Sequence, residues 1–362
     1  MQIPVYQPYF HGNEKRYVNE CLDSSWISSK GKFIGEFEEK FAHYVNAPFA
    51  TSVCNGTVAL HLALLALDIK PGDEIIVPTL TYVASVNTII QTGAVPIFVD
   101  SLNDTWQIDP MDVRRKITPK TRAVMAVHLY GHPCDMQPLM AICREHNLLL
   151  IEDCAEAFGT WYNGQHVGTF GDIATFSFFG NKTLTTGEGG MVVMKDKHLH
   201  ARAAHLKNQG ASTQLQYWHD IPGYNYRMTN ICAAIGLAQL EKVDEILAKK
   251  RQLAEWYREG LKNLPLITHG ETGDVRHSFW MCSILLNEAR HRDPLREHLK
   301  TAGIETRPLF YPAHLMNMYQ KQDEKHPVAE SLGSRGINLP SWPGITREQA
   351  NQVIQTIQEY FA

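Results

Sequence analysis

No stretch of this 362-residue chain stays apolar for long enough to span a bilayer, so no membrane partner is expected. Its first residues, MQIPVYQPYF, lack a basic region followed by an apolar core, so no secretory signal is read. Neither sign of charge prevails. Lys and Arg number 34 against 38 Asp and Glu, a net charge of −4, which leaves no broad positive field for nucleic acid. Cysteine is sparse, with seven residues, an odd count, and no CxxC pair. That argues against a disulfide framework and a zinc site and points to a reducing cytoplasm. The nucleotide motifs GxGxxG after a strand and GxxxxGK[ST] are missing, as is the nucleophile elbow GxSxG. His128 and His132 stand four apart, but Gly131 and Pro133 oppose the helix that would put them on one face, so no metal is expected. There is no tandem repeat and no low-complexity linker.

What is present is an alternation. From about residue 50 to 195, short apolar runs trade places with longer amphipathic ones. ATSVC (50–54), EIIVP (74–78), VPIFVD (95–100), RAVMAVHL (122–129) and LLLIED (148–153) read as strands. TVALHLALLAL (57–67), YVASVNTIIQTG (82–93) and PLMAICREH (138–146) read as helices between them. Runs apolar at both parities suit strands buried on both faces, and strands joined by helices imply a mostly parallel α/β sheet with right-handed crossovers. IATFSFF (173–179) and MVVMK (191–195) read as two further strands, close together and antiparallel. One long helical pattern covers about 229–261 and leads to a strand at 279–286 and helices at 294–303 and 347–361. The division expected is a large α/β domain, 1–240, and a small C-terminal α+β domain, 241–362. A helix in NEKRYVNECLDSS (13–25) has no parent domain by pattern alone. The basic run Lys249–Arg251, with Arg122 and Arg144, is expected on polar faces; Trp256 and Tyr257 are expected in the core or an interface.

Ligands of open α/β sheets bind beyond the carboxyl ends of the strands. Three features stand there. Asn55-Gly56-Thr57 follows the first strand and opens a helix; it is either an ordinary N-cap, the commoner case, or a phosphate cradle. Glu152 and Asp153 end the strand LLLIED, where a buried carboxylate needs a partner: a salt bridge, a cap, or a cationic ligand atom. Lys182 follows IATFSFF inside SFFGNKTLTTGEGG (177–190) and is either a solvated turn residue or a reacting amine. Gly180 is read as letting the backbone leave the strand, and TTGEGG as a flexible return.

These features recur in order among WISSKGKFIGEFEEKFA (26–42), CNGTVALHLAL (54–64), PTLTYVASVN (78–87), IEDCAEAFGT (151–160), SFFGNKTLTTGEGGMV (177–192), GYNYRMTNICAAIGLAQL (223–240) and RPLFYPAH (307–314). With these blocks the chain resembles the DegT/DnrJ/EryC1/StrS family of nucleotide-sugar aminotransferases over nearly its whole length. The resemblance implies a fold-type I pyridoxal-phosphate transferase, aspartate aminotransferase-like, with helices on both faces of a mostly parallel sheet and a smaller α+β domain. It implies pyridoxal 5′-phosphate as cofactor and pyridoxamine 5′-phosphate as its aminated form. SFFGNKTLTTGEGG, EDCAEA and RPLFYPAH favour the subgroup that aminates GDP-4-keto-6-deoxymannose, with UDP- or dTDP-linked keto sugars as the alternative.

Residue roles follow from the same resemblance. Lys182 would carry the cofactor aldehyde covalently and move protons, and Asp153 would face the ring nitrogen. Gly56, Thr57 and Ser177 would hold the phosphate. Tyr82 would stack on the ring, where relatives often have Trp or Phe. Glu156 stands where many relatives have Gln or His, near the ring hydroxyl. Asn225 would reach the phosphate from a neighbouring subunit, which implies a homodimer with active sites at its interface. Lys30, Arg227, Arg307 and His314 are the candidates for donor carboxylates and sugar diphosphate, with solvated surface charge as the other reading of each. L-glutamate is the implied donor, and lipopolysaccharide O-antigen or a related glycan the implied destination. A sugar dehydratase on the same fold carries histidine in place of the lysine, which Lys182 argues against. A non-catalytic sensor would have no need of Asp153, Lys182 and the phosphate elements together.

Overall fold

The computed structural model describes residues 2–320 and 324–362. Its centre is a seven-stranded sheet. The strands are β1 (Phe49–Val53), β2 (Glu74–Pro78), β3 (Val95–Val99), β4 (Thr121–Val127), β5 (Leu149–Asp153), β8 (Ile173–Ser177) and β9 (Gly190–Met194), in the order β1-β9-β8-β5-β4-β2-β3. Two short strands, β6 (Trp161–Tyr162) and β7 (Gln165–His166), lie between β5 and β8 in the chain. All neighbours from β8 to β3 pair parallel, while β9 runs antiparallel to both β1 and β8.

Parity explains the doubly apolar strands. Ile75, Val77, Ala123, Met125 and Ile151 face one side, under α3 (Gly56–Ala66), α4 (Val83–Gln91) and α7 (Lys197–Lys207). Ile76, Val124, Ala126 and Leu150 face the other, under α5 (Pro110–Arg115) and α6 (Met136–Glu145). On that second face, Phe176, Met191 and Val193 meet Phe37 and Phe41 of α2 (Lys32–Val45) and Ala233 and Leu237 of α8 (Asn230–Leu240). Successive residues of a strand point to opposite faces, so only a strand covered twice needs both sets apolar. Helix α1 (Glu14–Asp23), which pattern alone left without a parent, packs on α8. Gln239 donates to Glu14, and the Tyr17 hydroxyl donates to Glu241 just beyond α8 at 2.7 Å.

The helical pattern expected as one piece is two helices, α8 and α9 (Val243–Leu261), separated at Glu241-Lys242. The two halves differ in kind. Helix α8 is buried nearly all round, whereas α9 is amphipathic, so one straight rod could not bury both. Helix α9 leads to a second, four-stranded antiparallel sheet. Its strands are β10 (Leu266–Thr268), β12 (Cys282–Leu286), β13 (Arg307–Pro308) and β14 (Gly336–Leu339), in the order β10-β12-β14-β13. Helices α9, α10 (Arg292–Thr301) and α12 (Arg347–Phe361) share its core; α11 (Pro327–Arg335) precedes β14. Strand β11 (Val275–Arg276) joins β6 and β7 in a third, small sheet, and Ile3 pairs with Ile304 and lies in the second core. Lys250, expected on a polar face with its neighbours, turns inward and is 1% exposed. No described helix is long and apolar enough to cross a membrane.

Candidate active site

Beyond the carboxyl ends of β1, β2, β4, β5 and β8 lies a cleft of about 480 Å³. At one side β8 ends against the start of α3. The Asn55 side chain caps that helix, accepting from Val58 N at 3.0 Å. Gly56 is required by proximity: a Cβ there would stand 2.6 Å from Ser177 Cβ and 2.8 Å from its Oγ. Thr57 is exposed on the first turn, and Ser177 is half-buried. All three residues, Gly56, Thr57 and Ser177, line the cleft. Free amides and the dipole of an eleven-residue helix favour an anion at this end.

The two strand-end acids of β5 divide by parity. Glu152 is fully buried on the far side. It accepts from the amides of Gly168, Phe170 and Gly171 at 2.7–2.8 Å and from His128 Nε2 at 3.1 Å. His128 Nδ1 in turn accepts from Cys134 N at 3.0 Å. Glu152, His128 and nearby Cys154 bring three metal-type donor atoms within 4.8 Å. The carboxylate and the imidazole are engaged by the chain's own amides and by each other, which is the work of a structural knot. Asp153 points to the cleft and is 4% exposed. Its Oδ2 accepts from Ser85 Oγ at 2.7 Å and its Oδ1 from Ala155 N at 3.0 Å, and Ser85 is steadied by Thr81 at 3.0 Å. Among the described residues no cationic side chain comes within 4.0 Å of Asp153. A buried carboxylate held by two donors but unmatched in charge is a site for a cationic ligand atom.

Lys182 approaches from the turn after β8. Its amide donates to the Phe179 carbonyl at 2.9 Å, and its own carbonyl accepts from the Tyr6 hydroxyl at 2.5 Å. The side chain is 13% exposed, with Nζ 3.7 Å from Glu156 Oε1 and 4.0 Å from the centre of the Trp280 ring. Burial pushes the amine below the usual lysine range, and the nearby Glu156 and Asp153 charges offset part of that fall. Burial likewise lifts the Glu156 carboxyl to about 7, with Lys182 pulling the other way; Glu156 Oε2 accepts from Tyr130 N at 2.8 Å. Tyr82, 56% exposed, closes the mouth with its ring 5.6 Å from Phe310. The arrangement offers an anion cradle, a carboxylate for a cation, and a low-pKa amine around one space.

Seven predicted residues, Gly56, Thr57, Tyr82, Asp153, Glu156, Ser177 and Lys182, are thus brought together. Five lie outside the cleft lining of their own chain. Lys30 is exposed before α2. Asn225 is exposed and accepts from the Arg227 guanidinium at 2.7 and 3.0 Å, and Arg227 also donates to Asn208. Arg307 sits on β13 and pairs with Glu305 at 2.5 Å. His314 is 2% exposed, bonded to Thr79 at 2.7 Å and to Glu330 at 3.2 Å. Sequence reasoning missed Ser85, Trp280 and Phe310. Ser85 carried a signal, since it stands one helical turn after Thr81 inside PTLTYVASVN; the other two come from distant segments.

Residues 8–358 match the model of the DegT/DnrJ/EryC1/StrS aminotransferase family. The chain is 60% identical over 360 residues to a GDP-perosamine synthase of Escherichia coli O157:H7, covering 99% of each chain. It is 54% identical to a GDP-perosamine synthase of Vibrio cholerae, again over 99% of each. The fold matches the PLP form of the putative sugar aminotransferase Spr1654 from Streptococcus pneumoniae with a TM-score of 0.95 at 27% identity, covering 99% of this chain and 98% of that one. By sequence over nearly its full length, and by a fold whose strand-end cleft gathers Asp153 and Lys182, the chain belongs to the DegT/DnrJ/EryC1/StrS aminotransferase family.

Proposed function

We propose that this protein transfers an amino group from L-glutamate to the 4-keto carbon of GDP-4-keto-6-deoxy-D-mannose, giving GDP-perosamine and 2-oxoglutarate. The observation that carries the choice of sugar is the 60% identity, over 99% of both chains, to a protein named GDP-perosamine synthase. Pyridoxal 5′-phosphate is the cofactor in this reading, alternating with pyridoxamine 5′-phosphate. The cleft suits it on three counts: a cradle at Gly56 that a Cβ would fill, a buried Asp153 without a cation, and an amine depressed by burial. When bound, the cofactor supplies an electron sink for the pair left behind as a proton leaves the amino-bearing carbon.

The chain supplies the rest. Gly56, Thr57 and Ser177 bind the phosphate through amides and hydroxyls at the start of α3. Asp153, oriented by Ser85 and Ala155 N, keeps a proton on the ring nitrogen. Lys182 Nζ takes the proton from the donor α-carbon and returns one on the way to the aminated sugar, as general base and then acid. That work needs an amine that is neutral part of the time, which burial provides. Tyr82 at the mouth would hold the cofactor ring, and Glu156, beside Lys182, would hold its hydroxyl.

Two copies complete the site in this reading. Lys30, Asn225 and Arg227 stand outside their own cleft and are assigned to the partner's. The exposed aromatic side chains of Tyr217 and Trp218, on the same loop as Asn225, support such an interface. Arg307, paired with Glu305, and His314, bonded to Thr79 and Glu330, are kept as candidates for the donor carboxylates and the sugar diphosphate. Residues 1–240 form the larger, cofactor-holding unit and 241–362 the smaller one. Seven unpaired cysteines suit a cytoplasmic setting, with the product destined for a surface glycan such as O-antigen.

The test is mass analysis of products from purified protein, cofactor and glutamate with GDP-, UDP- and dTDP-linked 4-keto-6-deoxy sugars. Amination of the GDP sugar is expected. Amination of only the UDP or dTDP sugars would overturn the reading.

A further inference from the structure

Lys182 is gripped from one side by a residue of the C-terminal sheet region. Trp280 sends its indole Nε1 to the carbonyl of Asn181, the residue before Lys182, at 2.7 Å. The face of the same indole lies 4.0 Å from Lys182 Nζ. Trp280 is itself clamped. Its ring is parallel to that of Tyr130, 7° off at 6.1 Å, and its carbonyl accepts from the buried Lys250 Nζ at 3.1 Å. The residue is 4% exposed, so this geometry is fixed by packing rather than by a free rotamer.

We propose that Trp280 is a positioning residue for the amine of Lys182, fixing the preceding peptide through its ring N–H and cradling Nζ against its π face. This deepens the functional reading above and rests on Lys182 being the reacting amine. A ring face attracts an ammonium by its quadrupole and repays part of the hydration lost on burial. Trp280 therefore sets a balance. Burial favours the neutral amine that accepts a proton, and the indole face steadies the ammonium that gives it back. The other charged groups acting on Nζ are Glu156, 3.7 Å away, and Asp153; Glu188 lines the same cleft, and the Tyr6 hydroxyl is bonded to the Lys182 carbonyl rather than to Nζ. Lys250 meets this cluster through the Trp280 carbonyl and through the Tyr6 ring, whose centre lies 5.4 Å from its Nζ.

The experiment is competitive acetylation of the full-length protein freed of cofactor, with trace acetic anhydride over a pH series. Lys182 labelling is quantified by mass spectrometry against an exposed lysine. The variants are W280F, which keeps a weaker ring face and loses the N–H, and W280L, which loses both. The expected order of Lys182 pKa is wild type, then W280F, then W280L, with a total fall of roughly half to one and a half pH units. An unchanged or raised pKa in both variants overturns the proposal, because a residue that merely fills space lets water in and moves the amine up. If W280L does not fold, W280F decides alone: a lower pKa supports the role and an equal or higher one refutes it. The readout involves no sugar, so its failure leaves the substrate reading standing, and an error in the sugar leaves this result untouched.

Discussion

Replacing Lys250 with Met makes the stability of the protein respond differently to pH, and the structure sets the size and sign of the change. Lys250 is buried in α9 with its Nζ donating to the carbonyls of Trp280 at 3.1 Å and Ser341 at 2.5 Å. Among the described residues no carboxylate lies within 4.0 Å of it. Burial pushes its amine from 10.5 down to about 8. Between about 8 and 10.5 the unfolded chain holds the proton and the folded chain has lost it, so stability rises with pH across that window. Below about 8 both states are charged and the full penalty is present; above 10.5 neither is charged and it is gone. At 1.36 kcal/mol per pH unit, the span corresponds to about 3 kcal/mol. Methionine keeps the length and removes the titration. It also strips two carbonyls of a donor, at about 1–3 kcal/mol each, but that loss is the same at every pH. The measurement is urea unfolding of wild type and K250M at pH 7 and near pH 10.5. Wild type should gain about 3 kcal/mol relative to K250M between them. A constant difference, or a gain by K250M, would refute the account of Lys250 as a buried ammonium.

Two further predictions concern the cleft. Gly56→Ala places a Cβ 2.6 Å from Ser177 Cβ, so β8 or α3 must shift; a loss of about 1–3 kcal/mol is expected in a thermal melt, with weaker cofactor binding by absorbance. Adding Ser177→Gly removes the clash and should recover part of that stability. Glu156→Gln takes a negative charge from 3.7 Å beside Lys182 Nζ while keeping an acceptor for Tyr130 N. The Lys182 amine should then titrate at lower pH in the acetylation assay, and a rise would contradict the assigned electrostatics.

How much of this was legible in the sequence differs by residue. The doubly apolar strands announced a sheet covered on both faces, because parity is local information, and IATFSFF and MVVMK do pair antiparallel. That β9 also pairs with β1 was not legible, since pairing across the edge depends on tertiary contact. Parity could have separated Glu152 from Asp153, as adjacent strand residues point to opposite faces. The break between α8 and α9 lay in a change of burial pattern rather than in a glycine or proline. In SFFGNKTLTTGEGG the glycines were misjudged. Gly180 has open space around it and no positive φ, so nothing there demands glycine. Gly187 does adopt φ 82°, and a Cβ at Gly190 would meet the Asn55 carbonyl at 2.7 Å. The return is not loose either, for Thr186 N and Thr185 Oγ1 both donate to the Phe178 carbonyl. Trp280 and Tyr6 were out of reach, because they meet the Lys182 turn across 99 and 176 residues of chain.

Nitrogen transfer tests the central claim most directly. Purified protein with bound cofactor is given ¹⁵N-labelled L-glutamate and GDP-4-keto-6-deoxymannose, alongside the same reaction with Lys182→Ala. Heavy nitrogen should appear in a GDP-4-amino sugar with the wild type and be absent with the variant. Transfer at wild-type rate by the variant, or an unlabelled or unaltered sugar from the wild type, would contradict it.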